Sequence, residues 1–260
     1  MRILRCEPAG APAGEEARVD LDAVLAEAVA PLTGDASLSV AVLSLPARGE
    51  GGGEPIAAYG GTTAYDTASI VKVDVLAALL LLAQDEGRQL NGAELGYADA
   101  MIRRSDNTSA TRLWRVIGGA AGLDAANARL GLTSTTAARA WGLTRTTAPD
   151  QVRLLRAVFG PAGGSVLREA SRAYVRELMG GVEADQRWGV SAAGTGWALK
   201  NGWMPRTTTG LWDINSIGRV TAGGRTRLVA VLSDGHATKE AGIALVESVA
   251  RAAVAAVGGA

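Results

Sequence analysis

A strongly apolar segment in the first third of the chain is the feature that most constrains its fold. Residues 68–84 read ASIVKVDVLAALLLLAQ and place hydrophobic side chains on nearly every face of the helix that they predict. A helix that is apolar all round must be buried, so the segment predicts a central helix with other elements packed around it. Thr67 directly precedes the segment and is a residue type that caps helix N-termini.

The overall composition indicates a globular protein without an electrostatic reason to bind nucleic acid. The 260 residues include 26 Lys and Arg against 26 Asp and Glu, and 48% of the residues are hydrophobic. The long apolar run at 73–83 is interrupted by Asp74 and is too short to cross a bilayer, so we expect no membrane span. Composition leaves the oligomeric state open.

The first twenty residues begin with two early arginines, Arg2 and Arg5, but contain no apolar stretch of the kind found in a signal peptide. This pattern predicts a cytoplasmic protein, or an extracytoplasmic one whose leader has been trimmed from the chain. Cys6 is the single cysteine, so no disulfide can form within the chain.

The order of predicted elements favours one antiparallel sheet assembled from both ends of the chain. Terminal helices at 20–30 and 238–257 enclose strands, and several helices lie between them. The predicted strands span residues 38–45, 55–59, 197–203, 211–220 and 227–233. We therefore expect an α/β fold of the α+β sandwich type, with flanking terminal helices and an all-helical lobe.

These elements predict a single domain over residues 1–260. Its sheet lobe covers about 20–64 and 196–260, and its helical lobe covers about 65–195. A cleft between two such lobes is a natural place for a catalytic site.

Ser69 and Lys72 are the first candidate catalytic pair. They lie three residues apart at the start of the central helix, so their side chains share one face. Backbone N–H groups at a helix start favour negative charge, and a lysine desolvated by apolar neighbours can accept the serine proton. The alternative is a solvated lysine beside a serine without a role, since this short pattern is common by chance.

Ser105, Asp106 and Asn107 follow a predicted helix that ends at Arg104. Ser105 can relay a proton to a leaving group, Asn107 can bind a substrate amide, and Asp106 can hold the loop. An ordinary turn with an N-cap would use the same residue types.

Residues 200–206 supply the remaining candidates on and after a predicted strand. Lys200 can bind a substrate carboxylate and bias the Ser105 proton transfer, and Asn201 can donate a hydrogen bond. Gly202 leaves room for a substrate backbone, and the N–H of Trp203 can join that of Ser69 in an oxyanion hole.

Four residues are weighed as candidates for substrate contact or metal binding. Trp141 and Trp203 can wall an apolar pocket, and Arg206 can hold a carboxylate, although solvent exposure is the commoner fate of such an arginine. His236 is the single histidine and has no partner at metal-ligand spacing, so we expect no metal site and no cofactor.

These motifs and their surroundings resemble the class A β-lactamase and penicillin-binding (DD-peptidase-like) serine hydrolase superfamily, whose signature is S-x-x-K, S-D-N and K-T-G. The resemblance covers roughly residues 20–257. It continues beyond the motifs in Thr108, Leu113-Trp114, Ile117-Gly118-Gly119, Gly122-Leu123 and Leu130-Gly131. It implies a β-lactamase/transpeptidase-like fold and an acyl-enzyme formed on Ser69 with a small amide, ester or β-lactam.

The chain departs from that superfamily in three ways. Asn201 stands where Thr or Ser is usual, and the spacing from Lys72 to Ser105 is short. No Asp or Glu occurs between Asp124 and Asp150, where class A β-lactamases carry the glutamate that activates the deacylating water. The resemblance therefore implies an enzyme that β-lactams acylate but that is a poor β-lactamase, unless Glu183 or Asp185 returns to the cleft.

Two other functions remain open at this level. One is a cytoplasmic biosynthetic hydrolase or transferase that acts on an amide, ester or thioester with the same chemistry. The other is a non-catalytic protein that binds β-lactams or peptidoglycan fragments. The intact Ser69 and Lys72 favour an enzyme, because a binding protein needs neither.

Overall fold

A five-stranded antiparallel sheet forms the framework of the protein. The computed structural model describes residues 19–46, 55–161 and 163–258. The strands within these ranges are β1 (Ser37–Ser44), β2 (Ala57–Tyr59), β3 (Tyr65–Asp66), β4 (Arg145–Thr146), β5 (Thr195–Pro205), β6 (Trp212–Ala222) and β7 (Arg225–His236). The large sheet has the order β2-β1-β7-β6-β5, while β3 and β4 form a separate two-stranded ribbon.

The sheet joins the two ends of the chain, as the sequence predicts. Strand β1 pairs with β7 along its whole length, from Ser37 opposite Asp234 to Ser44 opposite Arg227. Strand β5 lies at one edge and pairs only with β6 within the described sheet. Its other side is left open towards the helices, and this placement decides where the site lies.

Eight α-helices in the described ranges cover the two faces of the sheet. They are α1 (Leu21–Val29), α2 (Val71–Asp85), α3 (Gly92–Arg103), α4 (Asn107–Val116), α5 (Gly119–Leu130), α6 (Ala148–Phe159), α7 (Glu169–Gly180) and α8 (Lys239–Gly258). Helices α1 and α8 pack in one apolar core on one face, and α2 to α7 pack in a second core that reaches the other face. The mixed fold with an antiparallel sheet and flanking terminal helices is confirmed.

Side-chain caps define several helix starts. Asp20 accepts hydrogen bonds from the first backbone N–H groups of α1, and Thr147 and Thr238 cap α6 and α8. A capping box formed by Asn91 and Glu94 starts α3.

Helix α2 is central, but it begins later than predicted. Twelve of its fifteen residues are buried. The predicted cap by Thr67 is wrong, because Ala68–Ile70 form a short 3-10 turn and α2 starts at Val71. The Thr67 hydroxyl instead lies 3.5 Å from the Gly142 carbonyl oxygen, in the helical lobe.

Within the described ranges, α8 is long and apolar enough to cross a membrane. Its mean hydropathy is 1.6 over its apolar window. The sequence-based expectation of no membrane span rested on the run at 73–83 and did not weigh this helix. Seven α8 residues are buried, chiefly in the core that it shares with α1 and the sheet. Buried core helices also meet such a length and hydropathy test.

A carboxyl group is buried in α2 without a counter-charge. Asp74 is fully buried, and its Oδ1 accepts one hydrogen bond, 3.4 Å long, from Gln151 Nε2. Asp74 Oδ2 and Gln151 Oε1 have no hydrogen-bond partner. Burial raises the pKa of Asp74 to about 7, so the folded protein holds a proton on this group up to near neutral pH.

Replacing Asp74 by Asn should make the protein more stable at alkaline pH. The folded-state pKa lies above the unfolded value, so Asp74 lowers stability progressively as the pH rises from about 4 to about 7. Asp74→Asn removes this loss, because an amide stays neutral and can donate to Gln151. Urea unfolding at pH 5 and pH 8 should show a gain at both values that is larger at pH 8 by more than about 1 kcal/mol.

The exposed residue Asp35 provides the matched control. Asp35→Asn should keep the pH dependence of the wild-type protein. Equal pH dependence in Asp74→Asn and wild type would show that Asp74 does not hold a proton in the folded state.

Candidate functional site

Ser69 lies in a tight turn between β3 and α2. The turn is a single 3-10 segment, Ala68–Ile70, and Ala68 has the positive φ of 46° that side chains rarely adopt. Ser69 is half-buried and faces a cavity beside the edge strand β5. The geometry therefore presents this hydroxyl to the cleft between sheet and helices.

Lys72 is completely buried one turn after Ser69. Its Nζ donates to the Ser105 carbonyl oxygen at 2.6 Å, to Ser105 Oγ at 3.0 Å and to Asn107 Oδ1 at 2.8 Å. No hydrogen bond joins Lys72 to the Ser69 hydroxyl in the described part of the chain. Desolvation lowers the pKa of Lys72 to about 7, against the opposing charge of Asp106.

Ser105 is held between two lysines. Its Oγ lies 3.0 Å from Lys72 Nζ and 3.0 Å from Lys200 Nζ. Ser105 has a φ of 57°, and with Ala68 it is one of two non-glycine residues with positive φ in the described ranges. Such backbone conformations cost about 1–3 kcal/mol each and concentrate at functional sites.

The loop around Ser105 is fixed by its neighbours. Asp106 caps α4 by accepting from the Ser109 N–H at 2.6 Å, and its own N–H donates to the Ala100 carbonyl oxygen. The side chain of Asp106 thus holds the loop, and Asn107 begins α4 with its amide at the cavity.

Lys200 reaches Ser105 from strand β5. It is 1% exposed, and its Nζ also donates to the Asn201 carbonyl oxygen at 2.8 Å. Burial lowers its pKa well below the usual range for lysine, repulsion from Lys72 lowers it further, and Asp185 acts in the opposite direction.

Gly202 allows β5 to pack directly against the Ser69 turn. A Cβ atom at this position would lie 2.8 Å from the Ser69 nitrogen and 2.8 Å from the Thr67 oxygen. Only a glycine fits at this position of β5 without displacing the turn, and the room for a substrate backbone beside Gly202 stays a prediction. The oxyanion hole formed by the N–H groups of Ser69 and Trp203 stays a prediction.

The amide nitrogen of Asn201, predicted to donate to substrate, donates to the protein backbone in this structure. Successive residues of a strand face opposite sides of the sheet, so Asn201 points away from Lys200. Its buried Nδ2 donates to the Gln186 carbonyl oxygen at 2.8 Å and to the Trp188 carbonyl oxygen at 3.0 Å. Asn201 thus anchors the segment that precedes β5.

Arg206 also does not reach the cavity, contrary to its prediction as a carboxylate-binding residue. Its guanidinium lies 2.5 Å from Asp66 Oδ2 and 3.5 Å from Asp213 Oδ2. These ion pairs hold the β5–β6 hairpin against the β3–β4 ribbon.

The cavity beside Ser69 has a volume of about 500 Å³ and is mainly apolar. It is lined by Ala68, Ser69, Asn107, Ala140, Trp141, Gly142, Leu143, Trp203, Met204, Pro205 and Trp212. The structure thus places both tryptophans predicted to wall an apolar pocket at this cavity. Met204 and Trp212 were not predicted, because only strand pairing brings them there.

Trp141 covers Lys72 on the cavity side. Its ring centre lies 5.0 Å from Lys72 Nζ, and its Nε1 donates to Thr111 Oγ1 at 3.3 Å. Trp203 borders the cavity from β5, while its ring packs at 6.0 Å from the Trp188 ring and beneath Lys239.

No carboxylate lines this cavity among the described residues. The short 3-10 segment Trp141–Leu143 borders it instead. Asp150 is buried and accepts from the Ser134 N–H and the Thr135 hydroxyl. Glu183 and Asp185 are exposed and do not line the cavity.

His236 is buried at the end of β7, and its Nε2 lies 2.8 Å from Ser233 Oγ. In the part of the chain that the structure describes, no group of His, Cys, Asp and Glu side chains could hold a metal ion.

Comparison with known families shows where the chain belongs. The family model described as "Beta-lactamase enzyme family" matches residues 95–257. The protein is a member of the β-lactamase enzyme family. Curated relatives are named "Putative lipoprotein LppW", from Mycobacterium tuberculosis and Mycobacterium bovis, and are 33% identical over 178 residues. That match covers 65% of this chain and 54% of the relatives, so the chain matches about half of their length.

Solved structures confirm the fold. The TLA-1 extended-spectrum β-lactamase has a TM-score of 0.78 at 17% identity, over 91% of this chain and 99% of that one. A class A β-lactamase from Bacteroides cellulosilyticus has a TM-score of 0.77 at 16% identity, over 94% of this chain and 100% of that one. PBP-A has a TM-score of 0.75 at 19% identity, over 92% of this chain and 97% of that one. The chain thus has the fold of class A β-lactamases and of PBP-A.

Gly202→Ala should destabilise the protein and disable Ser69. The added methyl group would collide with backbone atoms of the Ser69 turn, which cannot move without disturbing α2. We expect a lower melting temperature and at least about tenfold slower labelling of Ser69 by a fluorophosphonate probe. Gly96→Ala in α3 is the control, because nothing lies within 4 Å of its added Cβ. Equal labelling of wild type and Gly202→Ala would contradict the close packing of β5 on the turn.

Proposed function

We propose that the protein is a serine acyl-transfer enzyme that forms an acyl-enzyme on Ser69 with β-lactams or related amides and esters. The observation that carries this proposal is the Ser105 hydroxyl held at 3.0 Å from two buried lysines, beside the Ser69 turn. A non-catalytic binding protein has no need for two desolvated lysines around one hydroxyl.

In the proposed reaction, Ser69 Oγ attacks the acyl carbon while its proton passes to neutral Lys72. Ser105 gives its own proton to the departing nitrogen or oxygen and receives one from Lys72, so the proton count balances. Lys200 stabilises negative charge that develops on Ser105 Oγ. The oxygen of the Asn107 amide accepts from Lys72, which leaves its nitrogen to donate to a substrate carbonyl.

Release of the acyl group is proposed to be slow with water as acceptor. The described cavity lining has no carboxylate that could activate a water molecule, and Trp141 covers Lys72 on that side. These features support a poor β-lactamase, whose acyl group stays on Ser69 or passes to another acceptor.

An extracytoplasmic location is also proposed, in place of the cytoplasmic alternative. It is supported by the curated relatives, which carry lipoprotein in their names. Residues 1–18, on which the leader prediction depends, lie outside the described ranges.

Intact-protein mass spectrometry tests the acyl-enzyme. A fluorophosphonate should add to the wild-type protein and not to Ser69→Ala, and benzylpenicillin should leave an adduct that persists after the free drug is removed. Rapid turnover of a penicillin or a chromogenic cephalosporin would contradict slow deacylation. Absence of labelling by both reagents would favour a non-catalytic binding protein.

The pH dependence of labelling tests Lys72 as the base. Only neutral Lys72 can accept a proton, so the fluorophosphonate labelling rate should rise with pH around a midpoint near 7. Lys72→Met keeps an unbranched apolar chain and should slow labelling by about 100-fold or more. A midpoint near the ordinary lysine value, or a wild-type rate in Lys72→Met, would exclude this role.

A further inference from the structure

Ser69 adjoins two chemically different surroundings. One is polar, because Ser105 Oγ lies there at 3.0 Å from Lys72 Nζ and 3.0 Å from Lys200 Nζ. The other is the apolar cavity of about 500 Å³, which Ser69 borders. Neither Ser105 nor either lysine is among the described residues that line this cavity. The two surroundings are therefore separate places beside one nucleophile.

The route of the leaving group decides which part of a substrate occupies each place. When Ser69 Oγ forms its bond to the acyl carbon, the bond from that carbon to the leaving nitrogen, oxygen or sulfur breaks. The leaving atom takes its proton from Ser105 Oγ. The leaving group must therefore lie at Ser105, beside Lys200. The apolar cavity is left for the rest of the acyl group, which stays on Ser69.

Asn107 supports this division, because it borders the cavity and also contacts Lys72. Its Oδ1 accepts from Lys72 Nζ at 2.8 Å, so its Nδ2 is the group left to bind a carbonyl oxygen of the acyl group. An acyl group held through Asn107 continues from there into the apolar part of the cavity.

Two apolar walls enclose the cavity. One is the 3-10 segment Trp141–Leu143, and the other is the end of β5 at residues 203–205 together with Trp212, which pairs with Pro205. Among the lining residues in the described ranges there is no Lys, Arg, Asp or Glu. A charged acyl chain would lose hydration here and gain no ion pair, whereas an alkyl or aryl chain would bury apolar surface.

Both walls are held by contacts within the protein. The Thr67 N–H donates to the Thr144 carbonyl oxygen at 2.8 Å, which ties the segment Trp141–Leu143 to the Ser69 turn. The Arg206 N–H donates to the Leu211 carbonyl oxygen at 2.8 Å and closes the β5–β6 hairpin. A cavity with fixed walls can bind an apolar chain without the entropic cost of ordering a loop.

We propose that the acyl group which this protein transfers is a large, uncharged alkyl or aryl acyl group, and that this cavity holds its apolar chain. Cavities of about 300–1,000 Å³ hold drug-sized ligands, so a group as small as acetyl would fill little of this one. The inference rests on the proposed function, because it concerns the group that Ser69 receives. It places no restriction on the charge of the leaving group, which lies beside Lys200.

Penicillins whose side-chain amide carries an acetyl, hexanoyl or octanoyl group form a matched series of reagents. They share the β-lactam ring and the carboxylate on the leaving-group side, and they differ only in the length of the acyl chain. The second-order rate of Ser69 acylation, followed by intact-protein mass spectrometry, should be at least about 30-fold higher for the octanoyl than for the acetyl compound. Equal rates, or a faster reaction of the acetyl compound, would overturn the inference.

Benzylpenicillin and its derivative with a carboxylate on the benzylic carbon test the requirement for an uncharged chain. The added carboxylate should slow acylation of Ser69 by about tenfold or more. The derivative with a hydroxyl group on the same carbon is the control for added bulk and should react faster than the carboxylate. A carboxylate derivative that reacts as fast as benzylpenicillin would overturn the requirement.

Leu143→Ala and Leu95→Ala distinguish this cavity from apolar surface elsewhere. Both leucines are 42% exposed, but Leu143 borders the cavity and Leu95 lies on α3 away from it. Leu143→Ala should lower the ratio of octanoyl to acetyl rates by about threefold or more, while Leu95→Ala should keep the wild-type ratio. An unchanged ratio in Leu143→Ala, or an equal loss in both variants, would overturn the assignment of the acyl chain to this cavity.

Labelling of Ser69 by a fluorophosphonate separates this inference from the proposed function. Failure of that labelling counts against the nucleophile itself, whereas labelling without a preference for the longer acyl chain overturns only the substrate class. If Ser69 is labelled but no penicillin reacts, acetyl and octanoyl thioesters of mercaptoacetate replace the series. The same preference for the octanoyl compound is then required.

Discussion

Two lysine side chains meet at one hydroxyl inside this protein, and the candidate site depends on that contact. Because both Nζ atoms lie 3.0 Å from Ser105 Oγ, they cannot be more than about 6 Å apart. Two unit charges at this distance repel by roughly 3 kcal/mol at an effective dielectric constant near 20. This repulsion adds to the cost of burial, so the pair favours a state in which at most one of the two lysines is positively charged. A lysine in that state can act as a base at neutral pH.

The scaffold around the two lysines explains how they are held together despite this repulsion. Helix α2 carries Lys72 through the middle of one core, and β5 brings Lys200 along the edge of the sheet. Gly202 lets the strand touch the Ser69 turn, and Asp106 fixes the loop of Ser105 by capping α4. Packing in the two cores therefore supplies the free energy that holds Lys72 and Lys200 close together and keeps Ala68 and Ser105 at positive φ.

Much of this arrangement could be predicted from the sequence because it depends on local patterns. The apolar run predicts α2, alternation predicts the strands, and the three motifs predict that Ser69, Lys72, Ser105 and Lys200 share a site. The structure joins Lys72, Ser105 and Lys200 by hydrogen bonds, and Ser69 lies one turn before Lys72. The errors arise where tertiary contacts decide. Thr67 has the chemistry of a cap, but the turn at Ala68 delays the helix. Asn201 and Arg206 both carry N–H groups that could donate to a substrate. Asn201 instead lies on the other side of β5 and donates to the backbone, and Arg206 forms ion pairs with two aspartates.

The pairing of β1 with β7 has a consequence for how the protein must be made. Strand β1 has only the three residues of β2 as a partner until β7, which ends at His236, has been synthesised. A three-residue ribbon is not stable in water by itself. The sheet can therefore close only after the chain through β7 has left the ribosome. Docking of β5 beside the Ser69 turn, and with it assembly of the site, is then a late step, and apolar surface stays exposed until it occurs.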